Sequence, residues 1–231
     1  NNGENYYGSI EEGIVDVKSS GGTIVLNNEN VVVDRNITIP SGVTLEIPEG
    51  TKMTVTQSGS LVNDGMVKND GEITNNGNIA GDGTINNDNG TINSVNGVVS
   101  NVIENGENGK VIAEASWEVD GVTSYGSLEK AIELAQTQEI GAIVFNSNVV
   151  ITSNIVIPEG VTLEIKQGVT VKVEEGASLT NKGTIVNNGT IGIDGDFVND
   201  GNVQGSGVVV DLKPTKPSGD KTSEDKPSDD K

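Results

Sequence analysis

Residues 61–85 read LVNDGMVKNDGEITNNGNIAGDGTI and repeat one pattern every six positions. An apolar side chain recurs every six residues, at Leu61, Val67, Ile73, Ile79 and Ile85. After each of the first four apolar residues, a glycine stands four positions later. Two positions after the same apolar residue stands an asparagine or, in the fourth hexad, Gly81. A strand of two or three residues and a tight corner fit this spacing, and three sides close a coil of about 18 to 20 residues. The sequence therefore predicts an all-β fold, a parallel β-solenoid with Val, Ile and Leu inside and glycine at left-handed corners.

A longer repeat divides the chain into two similar parts. Residues 36–50, NITIPSGVTLEIPEG, return at residues 154–168 as NIVIPEGVTLEIKQG. Towards the end, Asn78–Gly83 matches Asn202–Gly207 at an offset six residues larger, so the second part contains one additional hexad near Phe197. An insertion of one whole hexad preserves the inward register. We therefore predict two tandem copies: an N-terminally truncated first repeat at 1–100, a connecting segment with the second repeat at 101–212, and a disordered linker at 213–231.

Each copy is expected to begin with a short capping helix. Ser9 is a predicted N-cap, with Glu12 completing a capping box, and Ser127 caps the second helix. Leu128, Ile132 and Ala135 fall at helical spacing. Gly13 stands where the second helix has Ala131 and should weaken the first helix by about 1 kcal/mol. Ahead of the second helix, Asp120-Gly121 predicts a tight hairpin turn.

Composition supports strands and turns. The chain contains 31 Val and 22 Ile against 8 Leu, together with 31 Gly and 28 Asn. Val and Ile favour pleated surfaces, and Gly and Asn favour turns. The first strands are predicted at residues 23–26, 31–33, 36–39, 43–47 and 53–55. A β-sandwich is the competing fold, but it requires turn signals every 8 to 12 residues.

The residue counts also exclude several functions. Without Cys or His, the chain has no thiol nucleophile, no Ser-His-Asp triad, no disulfide and no ordinary zinc site. Its net charge of −20 argues against a nucleic-acid partner, because phosphates are bound by Lys and Arg. No run of 18 apolar residues is present, so no membrane insertion is expected.

Carboxylates are the first candidates for chemistry, as a glycosidase acid and base. Asp64, Asp70, Asp82 and Asp200 lie in turn sequences, where solvated corners are the simpler interpretation. Glu46 and Glu164 occupy equivalent strand positions in the two copies and could flank a site, although an outward strand Glu is usually solvated. We expect no enzyme activity, no catalytic residue and no cofactor.

Calcium and sugars are the remaining candidates. Asn86-Asn87-Asp88-Asn89-Gly90 offers oxygen ligands but lacks the downstream glutamate of an EF-hand, so no dedicated metal site is predicted. Large aromatic residues could bind sugars, but a role in closing the bottom of the core explains their presence better. The aromatic residues of the chain are Tyr6, Tyr7, Trp117, Tyr125, Phe145 and Phe197. The threonines at 51, 54 and 56 form too short and irregular a row for ice binding. No ligand-binding residue is assigned.

Several of these motifs occur together in one known family. The YGSI or YGSL start of the helix, the TIVL strand, the IP-x-GVTLEI stretch and the NxGxI hexads resemble the pectate-lyase-like adhesive repeats. These are right-handed parallel β-helix modules of Gram-positive bacterial surface proteins. The resemblance covers residues 6–100 and 124–212 and implies a secreted, wall-attached, non-catalytic module. True lyases of that fold use basic residues to abstract a proton and acidic residues to hold calcium, and no position here matches them.

The last segment, residues 213–231, reads KPTKPSGDKTSEDKPSDDK and lacks any apolar residue. It resembles the wall-spanning stretch of such proteins but contains no LPxTG-type motif, so attachment is expected through sequence further downstream. We expect a fragment of a cell-wall protein that serves as stalk or scaffold and in adhesion, with a host or environmental glycan or a matrix protein as partner. A carbohydrate- or matrix-binding module and a polysaccharide lyase or glycosidase of the β-helix fold are the alternatives.

Overall fold

The computed structural model describes residues 7–137 and 140–213 and forms a parallel β-solenoid of about nine turns. Helix α1 (Ile10–Val17) opens the described chain. The first run of coils follows it: β1 (Gly22–Val25), β2 (Asn30–Val33), β3 (Asn36–Ile39), β4 (Val43–Ile47), β5 (Lys52–Val55), β6 (Ser60–Asn63), β7 (Met66–Asn69), β8 (Glu72–Asn75), β9 (Asn78–Ala80), β10 (Thr84–Asn87), β11 (Thr91–Asn93), β12 (Val98–Val99), β13 (Val102–Asn105) and β14 (Lys110–Ile112).

A hairpin, β15 (Ala115–Val119) and β16 (Val122–Gly126), and helix α2 (Leu128–Ala135) separate the first run from the second. The second run contains β17 (Ile143–Phe145), β18 (Val149–Ile151), β19 (Asn154–Ile157), β20 (Thr162–Ile165), β21 (Thr170–Val173), β22 (Ser178–Asn181), β23 (Thr184–Asn187), β24 (Thr190–Ile193), β25 (Asp196–Asn199), β26 (Asn202–Gln204) and β27 (Val208–Asp211). Two strands, β3 and β4, have the predicted bounds; β2 and β5 begin one residue earlier than predicted, and β1 is shifted by one residue at both ends.

Every third strand stacks in parallel, which closes each coil on three sides. In the first run the sheets are β1-β4-β7-β10-β13, β2-β5-β8-β11-β14 and β3-β6-β9-β12. In the second run they are β17-β20-β23-β26, β18-β21-β24-β27 and β19-β22-β25. These parallel ladders confirm the solenoid and rule out the sandwich. Strands β13 and β14 add a fifth rung to two sheets, beyond residue 100, where we predicted the first repeat to end.

The six-residue repeat places one inward apolar side chain on each of the three sides of the coil in turn. Leu61, Val67 and Ile73 lie on the consecutive strands β6, β7 and β8, and all three are fully buried. Leu179 and Ile185 behave in the same way in the second run. Because the hexad visits all three sides in order, the apolar residues form one internal column in each run, as predicted.

Buried asparagines continue this order into the corners. The Asn69 amide donates to Oδ1 of Asn87, and the Asn87 amide donates to Oδ1 of Asn105, both at 2.7 Å. In the second run, Asn181 donates to Asn199 at the same distance. Each amide therefore bonds its counterpart one coil away. These bonds satisfy the buried NH₂ groups of Asn69, Asn87 and Asn181, which would otherwise be costly to bury, whereas the Oδ1 atoms of Asn69 and Asn181 have no partner.

The hexad glycines have a different role from the predicted one. Gly65, Gly71, Gly77 and Gly83 do not adopt positive φ, so the prediction of left-handed corners is wrong for them. A Cβ at Gly77 would lie 2.3 Å from the carbonyl oxygens of Gly59 and Thr56. These positions therefore require glycine because the backbone of the neighbouring coil comes too close. Positive φ occurs instead at wider corners such as Gly42, where a Cβ would meet nothing.

Both helices begin at the predicted caps. Ser9 accepts a hydrogen bond from the Glu12 amide (3.2 Å), and Ser127 accepts one from the Lys130 amide (3.3 Å). The Glu12 carboxylate accepts from the amide of Gly8 (2.8 Å), one residue before the cap position of a standard capping box.

The glycine in α1 accommodates close packing. A Cβ on Gly13 would lie 3.1 Å from the Tyr7 ring and 3.2 Å from Ile24, so an alanine there would need these side chains to shift slightly. Ala131 occupies the matching place in α2 and is fully buried. The intrinsic cost of glycine in a helix therefore accompanies a closer approach of α1 to β1.

The hairpin joins the two runs into one ten-stranded sheet. Its order is β3-β6-β9-β12-β16-β15-β17-β20-β23-β26, and the three steps from β12 to β17 are antiparallel. The Asp120-Gly121 turn that connects β15 and β16 has positive φ at both residues, as the hairpin prediction required. The sheet is therefore continuous across the junction.

The two apolar cores lie on opposite sides of this shared sheet. Val99 of the first core pairs with Tyr125, which pairs with Ser116, so these three side chains point to one side. The next residue, Ala115, points to the other side and pairs with Phe145 of the second core. The second core thus lies on the outer side of the first run's third sheet.

Candidate functional site

The candidate carboxylates are spread over several sheets and corners, and two of them meet where the Asp82 amide donates to Oδ1 of Asp64 (3.3 Å). Glu46 lies on β4 and forms an ion pair with Lys68 (3.2 Å) on the neighbouring strand. Glu164 lies on β20 in the ten-stranded sheet, between Val144 and Val186. The two glutamates are in different sheets, so the structure does not bring them together. Asp64, Asp82 and Asp200 are exposed at corners, as the simpler interpretation expected.

Ion pairs and amides hold two further carboxylates of the first run, Asp70 and Glu72. Asn89 donates to Asp70 (3.0 Å), and this hydrogen bond, with the Lys68 ammonium, lowers the pKa of Asp70 against the opposing effect of burial. Lys52 donates to Glu72 (2.6 Å) and is the main cause of a lowered Glu72 pKa. Both acids are held ionised, so neither is suited to donate a proton.

Glu114, which sequence reasoning did not single out, differs from these acids. It is half-buried between β14 and the hairpin, and burial raises its pKa. The backbone amide of Leu128, the first residue of α2, donates to its Oε2 (3.2 Å) and partly opposes this shift. The carboxyl thus satisfies a free amide at the start of the helix. The charge of the nearby Glu129 carboxylate, in the first turn of α2, adds to the upward shift of the Glu114 pKa.

The residues of the calcium candidate, 86–90, lie partly in the buried asparagine ladder and partly on the surface. Asn87 is buried in the corner ladder, and Asn89 donates to Asp70, while Asp88 is exposed. Across residues 7–137 and 140–213, no three acidic side chains converge closely enough to hold a metal ion. The same described residues include no helix with the length and apolarity needed to cross a bilayer.

The aromatic residues are mainly structural. Trp117 and Phe145 belong to the second core and are 2% and 0% exposed. Phe197 packs against the same core, and the Tyr7 ring contacts α1, where its hydroxyl donates to Asp16.

Tyr125 corrects part of the aromatic prediction. It points to the same side of the sheet as Val99, so it lies towards the end of the first core and not at the bottom of the second. Tyr6 lies outside the described residues. Thr51 is buried whereas Thr54 and Thr56 are half-buried, so the three do not form one exposed row.

A groove with a volume of about 830 Å³ lies at the junction of the two runs. This junction groove is bounded by Asn76 and Asn96 at corners of the first run, by Trp117 and Val122 of the hairpin, and by Leu134 of α2. Its polar lining also includes Gln57, Asn78, Asp82, Asp120, Lys130 and Glu133. A second cavity of about 620 Å³ lies near Glu118, Thr123 and Val144, and Trp117 borders both.

The position of the junction groove follows from the arrangement of the two cores. Val98 belongs to β12 of the first run, yet it packs against the second core, because it points to the outer side of the sheet. On that side Ser124 of the hairpin donates to Ser100 (3.1 Å). Helix α2 also lies on this side, because it packs against the core that contains Trp117. The groove therefore lies between the outer surface of the first run and α2, and has room for a small polar molecule.

No protein-family model matches this chain, and no curated protein or solved structure matches it either. The resemblance to adhesive repeats therefore stays a prediction from the motifs. The junction groove was not predicted, because its lining comes from three distant parts of the sequence that carry no common motif. The hairpin signal at Asp120-Gly121 marked where the chain turns but did not show which side of the sheet α2 would cover.

Proposed function

We propose that this chain is a non-catalytic module of a bacterial surface protein that acts as a stalk and scaffold and contributes to adhesion. The observation that carries this proposal is the ten-stranded sheet that continues from β3 to β26 through the hairpin. Nine steps at about 4.8 Å give a ladder of roughly 43 Å. Each strand inside the ladder is hydrogen-bonded on both sides, which favours a stiff element over two loosely linked units.

In this proposal the two runs are tandem copies of one repeat, each preceded by a capping helix. Helix α1 packs on β1, and α2 packs on β15 and β17, so each helix meets the start of the run that follows it. A secreted, wall-attached location rests on the resemblance to the adhesive repeats of Gram-positive bacteria at residues 36–50 and 154–168. The net charge of −20 is compatible with this role, because like-charged modules repel one another and remain extended.

The non-catalytic part of the proposal is supported by the placement of the acids. Glu46 and Glu72 form ion pairs with lysines on neighbouring strands, and Glu164 lies in another sheet. Incubation of the protein with pectins should therefore produce no unsaturated uronides, measured by their ultraviolet absorbance. A rise above that of heat-denatured protein would contradict this part and favour the lyase alternative.

Small-angle X-ray scattering tests the stalk. Residues 1–213 should be compared with residues 1–112, which end after β14. Six ladder steps separate β12 from β26, so the longest dimension should fall by about 29 Å in the shorter chain. A decrease of less than half that value would show that the two runs lie side by side, and the stalk proposal would then fail. Circular dichroism of the shorter chain provides the folding control.

A further inference from the structure

The junction groove has the size and shape of a small-molecule site. Its volume of about 830 Å³ lies inside the range of roughly 300 to 1,000 Å³ that is usual for ligand sites. It is formed by the first run, the hairpin and α2 together, so three packed elements hold its walls. From these features and its lining, we propose that the junction groove binds a neutral, hydroxyl-rich oligosaccharide.

Amide side chains supply the hydrogen-bonding groups. Asn96 donates to Oδ1 of Asn76 (3.1 Å) on the corner of the groove. That bond leaves the NH₂ group of Asn76 and the carbonyl oxygen of Asn96 available to a ligand. Gln57 and Asn78 add two more amides to the lining. A sugar hydroxyl both donates and accepts, and an amide side chain offers both functions in return.

The charges of the groove select against anions. Asp82, Asp120 and Glu133 line it, and its lysine, Lys130, is already paired with Glu133 (2.7 Å). An oligouronide or phosphorylated ligand would meet carboxylates with no uncommitted ammonium among the lining residues. No three acids converge into a metal site within the described parts of the chain, so the groove offers separate carboxylates. Hydroxyl groups can donate to the separate carboxylates without such a cluster.

Apolar surface completes the site. Val98, Val119, Val122 and Leu134 are half-buried and line the groove beside Trp117. The C–H faces of a sugar ring can cover such surface while its hydroxyls bond the amides at the edge. Trp117 is itself buried, so it acts as part of the wall and not as an exposed stacking platform. This combination of apolar floor and amide rim distinguishes the groove from the charged outer faces of the coils.

Binding can be measured on the full chain by calorimetry and by the fluorescence of Trp117, which is the single tryptophan of the sequence. The probes are neutral tetrasaccharides of glucose, mannose, galactose and N-acetylglucosamine, with tetragalacturonate and tetralysine as charged comparators. At least one neutral probe should bind saturably, with a Kd below about 1 mM, and change the Trp117 emission. The charged comparators should not bind in that range.

A matched pair of variants locates the site. Asn96→Ala removes an amide from the groove, whereas Asn108→Ala removes an amide that makes the same kind of ladder bond, to Asn89 (3.2 Å), at a corner outside it. Both asparagines are exposed, so the two substitutions should affect folding equally. Asn96→Ala should weaken sugar binding about tenfold, and Asn108→Ala should change it less than about twofold.

Three results would overturn the proposal. These are no binding of any neutral probe up to about 10 mM, tighter binding of tetralysine, and equal losses in the two variants. None of them bears on the stalk, because a stalk requires no ligand and its test is the length measured by scattering. A failed scattering test would in turn leave the groove, which is formed by residues 57–134, open to the same titration.

Discussion

The hexad coils, β6 to β12, and the junction, from Glu114 to Phe145, solve the same packing problem in different ways. In the coils one strand face is buried and the other half-exposed, as in β8, where Ile73 is fully buried and Thr74 is not. At the junction, Ala115, Ser116 and Trp117 are consecutive and all buried. Strand β15 is thus covered on both sides, because one core lies on each side of the shared sheet.

This difference teaches how a solenoid can shift its core without breaking its ladder. Parallel stacking in register repeats the same inward residue on every coil, so it keeps the core on one side. The antiparallel steps through β16 and β15 let α2 and the second core occupy the other side while the backbone hydrogen bonds continue.

The largest effect is expected from a charge in the column of the coils. Ile73→Asp should lower the free energy of unfolding by several kcal/mol, because it buries a carboxylate without a partner. Thr74→Asp, on the outer face of the same strand, should cost less than about 1 kcal/mol. Urea denaturation measures both. Equal costs would show that the inside and outside of the coil are not distinguished as the fold requires.

Glycines that contact the backbone of a neighbouring strand should tolerate substitution by alanine differently in the two regions. Gly77→Ala in the coils places a Cβ 2.3 Å from two carbonyl oxygens and should cost about 3 kcal/mol. Gly126→Ala at the junction meets one carbonyl oxygen at 2.7 Å, against two at 2.3 Å for Gly77, and the Trp117 ring at 3.0 Å. It should cost about 1 kcal/mol and change Trp117 emission. Thermal melts with fluorescence detection check both values, and the opposite order would contradict the contrast.

The amide ladders separate buried from exposed asparagine. Asn87→Ala removes a side chain bonded to Asn69 and Asn105 and leaves the buried Asn69 amide without that acceptor. The expected cost is about 1 to 3 kcal/mol. Asn89→Ala, two residues later on the exposed ladder, should cost about 0.5 kcal/mol. Guanidinium denaturation of the two variants gives the comparison, which fails if Asn89→Ala proves as costly as Asn87→Ala.

The smallest effects concern pH, and the two regions should have opposite signs. The lowered pKa of Glu72 means that its ion pair stabilises the fold above about pH 4.5, and that stability is lost as the pH falls through the lowered value. The raised pKa of Glu114 means that its ionised form is penalised, so stability is gained as the pH falls through the raised value towards about 4.5.

Neutral variants test these signs directly. At pH 7, Glu72→Gln should lower the free energy of unfolding and Glu114→Gln should raise it, each by less than about 1 kcal/mol, because both sites are partly solvated. Both differences should shrink towards about pH 3, where carboxyl groups protonate. Stability curves across this range, measured beside the parent chain, decide the matter. Changes of the same sign in the two variants at pH 7 would contradict the assignment.

The sequence by itself determined the coil. The spacing of Leu61, Val67 and Ile73 is a local property, because each hexad carries its own inward residue, its corner amide and its glycine. That is why the solenoid, the bounds of the two strands β3 and β4, both helix caps and the Asp120-Gly121 turn could be predicted from residues alone. The role of the hexad glycines could not, since their contacts are with the coil before them and not with their own turn.

Only the tertiary structure decided what happens between the runs. The side of the sheet that carries the second core depends on which strand β16 and β15 pair with, and no local pattern encodes that choice. The junction groove depends on the same pairing, because Asn76, Trp117 and Leu134 come from elements that meet only after the hairpin has docked. Periodicity specifies a direction relative to a side chain's own strand. The position of a second core relative to the first is a long-range property, determined by contacts between residues far apart in the chain.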